Sequence, residues 1–147
     1  MTNEHPPFFS EEDSKRLIQA IQDAERRTSG EIRIHVEHTC TDADARVREV
    51  FAELGMDQTA ERNGILFYLA TESRLFAVLG DEGINEVVPE QFWNTIRDTV
   101  LAQFRRGDFV AGLTAGVRTA GAMLEKYFPR RADDVNELPD EISYGRE

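Results

Sequence analysis

The sequence predicts an α/β fold, a three-layer αβα sandwich around a small mixed sheet. Three observations predict it. The segment from Glu31 to His38 alternates strictly between apolar and polar residues, as a strand does. Two continuous apolar runs, at residues 65–70 and 75–79, are too short for typical helices and read as strands covered on both faces. A helical segment separates the first strand from the second, whereas only the turn Thr71-Glu72-Ser73-Arg74 separates the second from the third. The first pair is therefore expected to be parallel and the second an antiparallel hairpin.

The elements follow in order. Ser10 caps a first helix, with Glu11, Glu12 and Asp13 in its first turn, where the helix dipole favours acids. Leu17, Ile18, Ile21 and Ala24 recur at helical spacing, and Ser29-Gly30 ends the helix. In the first strand, Ile32, Ile34 and Val36 face one way and Arg33, His35 and Glu37 the other, which predicts one buried face. Thr41 or Asp42 caps the second helix, Val47, Val50, Phe51 and Leu54 line its inner side, and Gly55 stops it. After a polar connector come the hairpin strands, expected near 64–70 and 75–80. Gly80-Asp81-Glu82-Gly83 breaks the third strand, and one helical turn fits residues 84–88. Pro89 suits the first position of a long helix lined by Phe92, Trp93, Ile96, Val100 and Phe104 and ended by Gly107. Asp108 caps the last helix, with Leu113, Val117, Ala120, Leu124 and Tyr127 on its inner face. Gly112-Leu113-Thr114-Ala115-Gly116 gives that helix a face of small residues suited to close packing. The chain thus divides into a flexible N-terminus at 1–8, one domain at 9–128 and a flexible polar tail at 129–147.

Charge narrows the function classes. The 147 residues carry 28 acids against 17 Lys and Arg, a formal net charge of −11. Such a surface repels phosphate backbones and anionic lipid, and suits cations or a basic partner protein. Cys40 is the only cysteine, so no intramolecular disulfide and no thiolate zinc cluster can form. No leader-like segment or bilayer-length apolar run is present, which predicts a cytoplasmic protein without membrane insertion. Walker, dinucleotide, hydrolase-elbow and deaminase signatures are missing. His35 and His38 fall on different sides of one strand and do not make a shared metal site.

Strand direction brings polar groups together. Glu31 opens the first strand, Asn63 precedes the second, and Asp81 and Glu82 follow the reversed third strand. All four are expected at one end of the sheet. Carboxylates, an amide oxygen and loop carbonyls in one place form the donor set of a hard cation such as Ca²⁺. Acids beside a glycine in a turn are equally ordinary solvated surface.

Four segments carry a resemblance: Thr28-Ser29-Gly30-Glu31-Ile32, Arg62-Asn63-Gly64-Ile65-Leu66, Gly80-Asp81-Glu82-Gly83-Ile84, and Phe104-Arg105-Arg106-Gly107-Asp108-Phe109 with Gly112. Their order resembles the TPM domain, which occurs in plant thylakoid-lumen proteins and many bacterial proteins. The resemblance covers roughly Phe9 to Phe128. It implies a Rossmann-like αβα sandwich, divalent-cation binding in some members, and an acid phosphatase activity attributed to a plant member. By position it marks Asn63, where many relatives have Asp, together with Asp81, Glu82 and Asp108. The chain departs from the family at Gly80-Asp81-Glu82-Gly83-Ile84, where many relatives have a Gly-aromatic-Gly-Leu-Glu loop, and it has none of their signal or membrane segments.

Three functions compete. The first is a domain that binds a divalent cation, Ca²⁺, at Asp81, Glu82, Asn63 and Glu31, with Asp108 included through the resemblance, and that serves protein interaction or regulation. The second is a metal-assisted acid phosphatase, which needs a nucleophile or paired metals and basic groups for phosphate. The acidic end supplies few of these. The third is an adaptor without metal.

Overall fold

The computed structural model describes residues 8–130 and 142–145. Helix α1 (Glu11–Glu25) leads into β1 (Glu31–Glu37), then α2 (Ala43–Glu53) and a short 3-10 turn (Met56–Gln58). The hairpin β2 (Gly64–Ala70) and β3 (Leu75–Gly80) follows. Then come the single turn α3 (Glu82–Asn85), α4 (Gln91–Phe104), α5 (Phe109–Tyr127) and a two-residue strand β4 (Ser143–Tyr144).

Among the described residues the strands form one sheet in the order β3-β2-β1-β4. β1 pairs parallel with β2, Glu31 opposite Gly64 through Glu37 opposite Ala70. β2 pairs antiparallel with β3, Ile65 opposite Gly80 through Ala70 opposite Leu75. Both pairings agree with the connections read from the sequence.

Alternation sorts the core into two layers. Ile32, Ile34, Val36, Ile65, Phe67 and Leu69 face α1, α4 and α5. On the opposite side Leu66, Tyr68 and Ala70 face Val47, Val50 and Phe51 of α2. The predicted caps are present: Ser10, Asp42 and Asp108 each accept the backbone N–H three residues on, at 3.0, 3.1 and 2.9 Å. A Cβ at Gly116 would lie 2.4 Å from Val100, so the small-residue face of α5 is what lets α4 approach. α4 begins at Gln91, with Pro89 ahead of its cap rather than in its first turn. No helix among the described residues is long and apolar enough to cross a membrane.

Three expectations need correction. The polar side of β1 is not a solvent face: His35 and Glu37 are both buried, closed over by the Arg46 side chain from α2, by Tyr68 of β2 and by Ser143 of β4. The flexible segments predicted at 1–8 and 129–147 lie mostly outside the described residues, but their described parts are packed. Phe8 stacks on His38 and on Tyr144, with ring centroids 4.2 and 5.3 Å away. Ile142 is buried in the larger core, and Ser143 and Tyr144 pair parallel with His35 and Val36. One apolar anchor plus strand hydrogen bonds holds this segment, which needs no periodicity to do so.

Candidate functional site

Strand geometry builds the predicted end of the sheet. β1 and β2 start there and β3 finishes there. Glu31 N–H donates to Asn63 C=O at 3.2 Å, and Asp81 N–H donates to Gly64 C=O at 2.9 Å. Glu31, Asn63 and Asp81 are thereby brought side by side, and they are 2%, 2% and 6% exposed. Glu82 follows on the surface.

Arg62 occupies the middle of this group. Its Nε donates to Asp81 Oδ2 at 2.7 Å, its Nη2 to Asp81 Oδ1 at 2.9 Å, and its Nη1 to Glu82 Oε2 at 3.0 Å. Such a fork is the strong form of a carboxylate–guanidinium contact. The Asp81 hydrogen bond, with the charge of Asp81 and Glu82, raises the Arg62 pKa above its ordinary value, against some desolvation. Asp81 also caps α3, accepting Glu82 N–H at 2.8 Å. The Arg62 backbone has φ of +51°, the left-handed region that non-glycine residues seldom adopt. Gly83 lets α3 press on this loop: a Cβ there would lie 2.3 Å from Glu61 C=O and 2.6 Å from Arg62 C=O. Asn63 Nδ2 donates to Ser29 Oγ at 3.3 Å. Behind α3, Asn85 Nδ2 donates to Gly80 C=O at 3.0 Å, and Trp93 Nε1 donates to Asn85 Oδ1 at 2.9 Å.

Asp108 is not part of the group. It is an exposed cap on α5. The adjoining Gly107 and Phe109 border a hollow with Arg74, Leu75 and Phe76, at the opposite end of β3 from Asp81. α4 carries the chain from one end of the sheet to the other, which separates the two acids.

The donors Asp81, Glu82 and Asn63 are hard oxygens suited to a divalent cation. As folded, however, the Asp81 and Glu82 carboxylates already hold a cation, the Arg62 guanidinium. Among the described residues no group of three or more His, Cys, Asp or Glu side chains is arranged to hold a metal ion. The residues therefore suit a metal only where Arg62 moves away.

A second polar cluster, missed in the sequence, lies under α2. Glu37 accepts Arg46 Nε at 2.8 Å and Arg46 Nη2 at 3.0 Å, accepts the Tyr68 hydroxyl, and meets His35 Nε2 at 3.1 Å. His35 Nδ1 meets Ser143 Oγ at 2.8 Å. A carboxylate only accepts, so Nε2 carries the proton toward Glu37 and Nδ1 accepts from Ser143. Burial pushes Glu37 upward, but the hydrogen bonds from Arg46, Tyr68 and His35 outweigh it and hold the carboxyl at about 2. Burial lowers His35, partly offset by Glu37. Burial raises Tyr68, with Cys40 and Glu37 acting in the same direction. A cavity of about 470 Å³ adjoins this cluster, lined by His35, Arg46, Glu53 and the β4 segment. A partial signal was available: the apolar stripe of α2 needs a sheet face, and it takes Leu66, Tyr68 and Ala70 of β2 with Ala77 of β3, which sets α2 on the same side of the sheet as His35 and Glu37.

The family comparisons agree with this architecture. The TPM domain profile matches residues 3–123. No curated protein matches the chain. The NMR structure of BA42 protein from the psychrophilic bacterium Bizionia argentinensis is 45% identical, with a TM-score of 0.91, over 97% of this chain and 99% of that one. The NMR structure of the N-terminal domain of cg2496 protein from Corynebacterium glutamicum shares the fold, with a TM-score of 0.64 at 15% identity, over 83% of this chain and 85% of that one. With a sheet, helical layers and a family match that coincide over most of its length, the chain belongs to the TPM domain family.

Proposed function

We propose that this TPM domain is a cation-responsive binding module rather than a phosphatase. In this reading Asp81 and Glu82, with Asn63 and the buried Glu31 behind them, take up a divalent cation, Ca²⁺, in exchange for the Arg62 guanidinium. The observation that carries it is the Arg62 bridge. Two carboxylates on one turn already converge on a single positive charge, and the side chain supplying that charge is 40% exposed on a loop. Arg62 is free to swing toward solvent, and its release alters the surface of the loop and of α3, which a partner protein of basic character reads. Asp108 takes no part. The phosphatase reading gains no support from this end of the sheet. Both Asp81 oxygens accept hydrogen bonds within the fold, and the Ser29 hydroxyl beside Asn63 reaches a carboxylate, Glu61, only at 3.4 Å, at the long limit of a hydrogen bond.

The test is thermal melting of wild type, Asp81→Ala and Arg62→Gln in EDTA and in millimolar Ca²⁺. Binding to the folded state alone adds RT ln(1 + [L]/Kd), about 2.7 kcal/mol at a hundredfold excess over Kd. Arg62→Gln is expected to gain more than wild type, and Asp81→Ala much less. Equal gains in all three would place the ion elsewhere, and no gain in Arg62→Gln would end the cation reading.

A further inference from the structure

The far side of the sheet carries a different surface. β3 pairs with β2 and has no strand on its other side, so it forms one edge of the sheet among the described residues. Its pairing runs without a bulge from Leu75 to Gly80. Edge strands are usually blunted by a charge, a proline or a bulge. The segment Leu75-Phe76-Ala77-Val78-Leu79-Gly80 has none of these, and Leu75, Phe76, Val78 and Leu79 all keep part of their surface exposed. The opposite edge is treated differently: the chain's own β4 is laid along β1.

A hollow of about 390 Å³ opens at the start of β3, between Leu75 and Phe76 and the α4–α5 turn, where Leu101, Phe104 and Phe109 complete its apolar wall. Successive residues of a strand point to opposite faces, so a hollow touched by both Leu75 and Phe76 opens on the strand's edge. Phe104 meets Phe76 and Phe109 edge-on, with centroids 5.5 and 5.1 Å away, which gives the wall a fixed shape. Arg74 and Arg105 stand at its rim. Neither has a carboxylate partner among the described residues, and nor does the adjacent Arg106. In the same acidic chain Arg16, Arg26, Arg27, Arg46, Arg62 and Arg118 pair with acids, while Arg48 and Arg97 are single exposed charges on α2 and α4. Positive charge has been left unpaired beside an open strand edge and an apolar hollow.

We propose that the outer edge of β3 docks an extended acidic–apolar peptide segment of a partner protein as an added strand. Backbone hydrogen bonds along Leu75–Gly80 hold the segment, one apolar side chain fills the Phe76–Phe104–Phe109 hollow, and a carboxylate pairs with Arg74 and Arg105. Strand addition gives affinity through the backbone and specificity through such pockets. The charge of the rim selects an acidic segment over a basic one.

The experiment titrates the full chain with a short fluorescein-labelled peptide that alternates valine with aspartate around one phenylalanine. Anisotropy gives the affinity and amide chemical shifts give the location. The expected result is saturable binding with the largest shifts at residues 75–80 and 105–109. The same peptide with lysine in place of aspartate is expected to bind about tenfold more weakly or worse, one charge contact's worth of affinity. The double variant Arg74→Glu, Arg105→Glu, with unchanged circular dichroism, is expected to reverse that order. Absence of shifts at 75–80 would overturn the proposal. So would equal binding of both peptides. Shifts confined to the hollow, reproduced by phenylbutyrate alone, would overturn it in favour of a small-molecule pocket. Concentration-dependent dimerisation that the aspartate peptide fails to compete away would assign the edge to a second copy of the chain.

Discussion

Arg62 and Asp81 meet through two hydrogen bonds, Nε to Oδ2 at 2.7 Å and Nη2 to Oδ1 at 2.9 Å, while Asp81 simultaneously caps the turn that follows it. The carboxylate serves two structures at once, and the two roles separate by mutation. Asp81→Ala loses both and is expected to cost about 1 kcal/mol through the cap alone. Arg62→Gln keeps the cap and is expected to cost less, with a loss that shrinks as salt is added. Urea denaturation at low and high ionic strength measures both. Equal, salt-independent losses would show that the cap carries nothing.

Acid is expected to weaken the fold in two steps. The His35 pKa is lowered from 6.5, so the unfolded chain binds that proton more readily. Stability from His35 is present above pH 6.5 and declines below it. Glu37 is lowered from 4.5 to about 2, so its contribution is present above pH 4.5 and is lost between there and about pH 2. Its side chain is only 10% exposed, so water screens its bonds to Arg46, Tyr68 and His35 little and the lower step is the larger of the two. Glu37→Gln is expected to remove the lower step and lower stability at neutral pH. Denaturant midpoints taken across pH 2–8 test this, and an unchanged acid limb in Glu37→Gln would refute it.

Removal of the chain from Ile142 onward is expected to destabilise the domain, because Ile142 is 8% exposed in the main core and Ser143 meets His35. Ile142→Ala alone is expected to cost about 2 kcal/mol, the low end for a buried isoleucine. A melting temperature unchanged by the truncation would return this segment to the status of a polar tail.

Gly116→Val is expected to cost roughly 1–3 kcal/mol by overpacking. Its Cβ would lie 2.4 Å from Val100 and 3.0 Å from Phe67, both in the core. Gly107→Ala meets no neighbouring atom within 4 Å but has φ of +80°, so its smaller cost isolates backbone strain from steric conflict. Calorimetry of the pair measures the difference.

Purified protein is expected to show no turnover of generic phosphate esters above a buffer blank. A rate that vanishes in Asp81→Asn, with the melting curve intact, would restore the phosphatase reading.

The strands were legible because apolar runs of strand length stand out: β2 is apolar throughout since helices cover both its faces, β3 carries a similar run at the sheet's edge, and the helix between β1 and β2 required a parallel pair. The convergence of Glu31, Asn63 and Asp81 followed from strand direction alone. Arg62 was not legible, because the reach of a long side chain from a loop leaves no periodic trace. His35 and Glu37 were misread since alternating polar residues in a strand normally mark water. Here Arg46 arrives from α2 to pair with Glu37, and pairing rather than polarity decides burial. Asp108 stood in the right order along the chain, but α4 carries it to the wrong end. β4 was missed because two residues are too few to show a period.

The single tryptophan gives the Asp81 end an optical handle. Trp93 donates to Asn85 at the end of α3, and its ring lies so close to Gly80 that a Cβ there would sit 2.3 Å from it. Asp81 stands next to that glycine and caps α3. Any event that frees Asp81 and loosens α3 therefore changes the polarity around one indole, and intrinsic emission follows it without a label and without interference from a second chromophore of that kind.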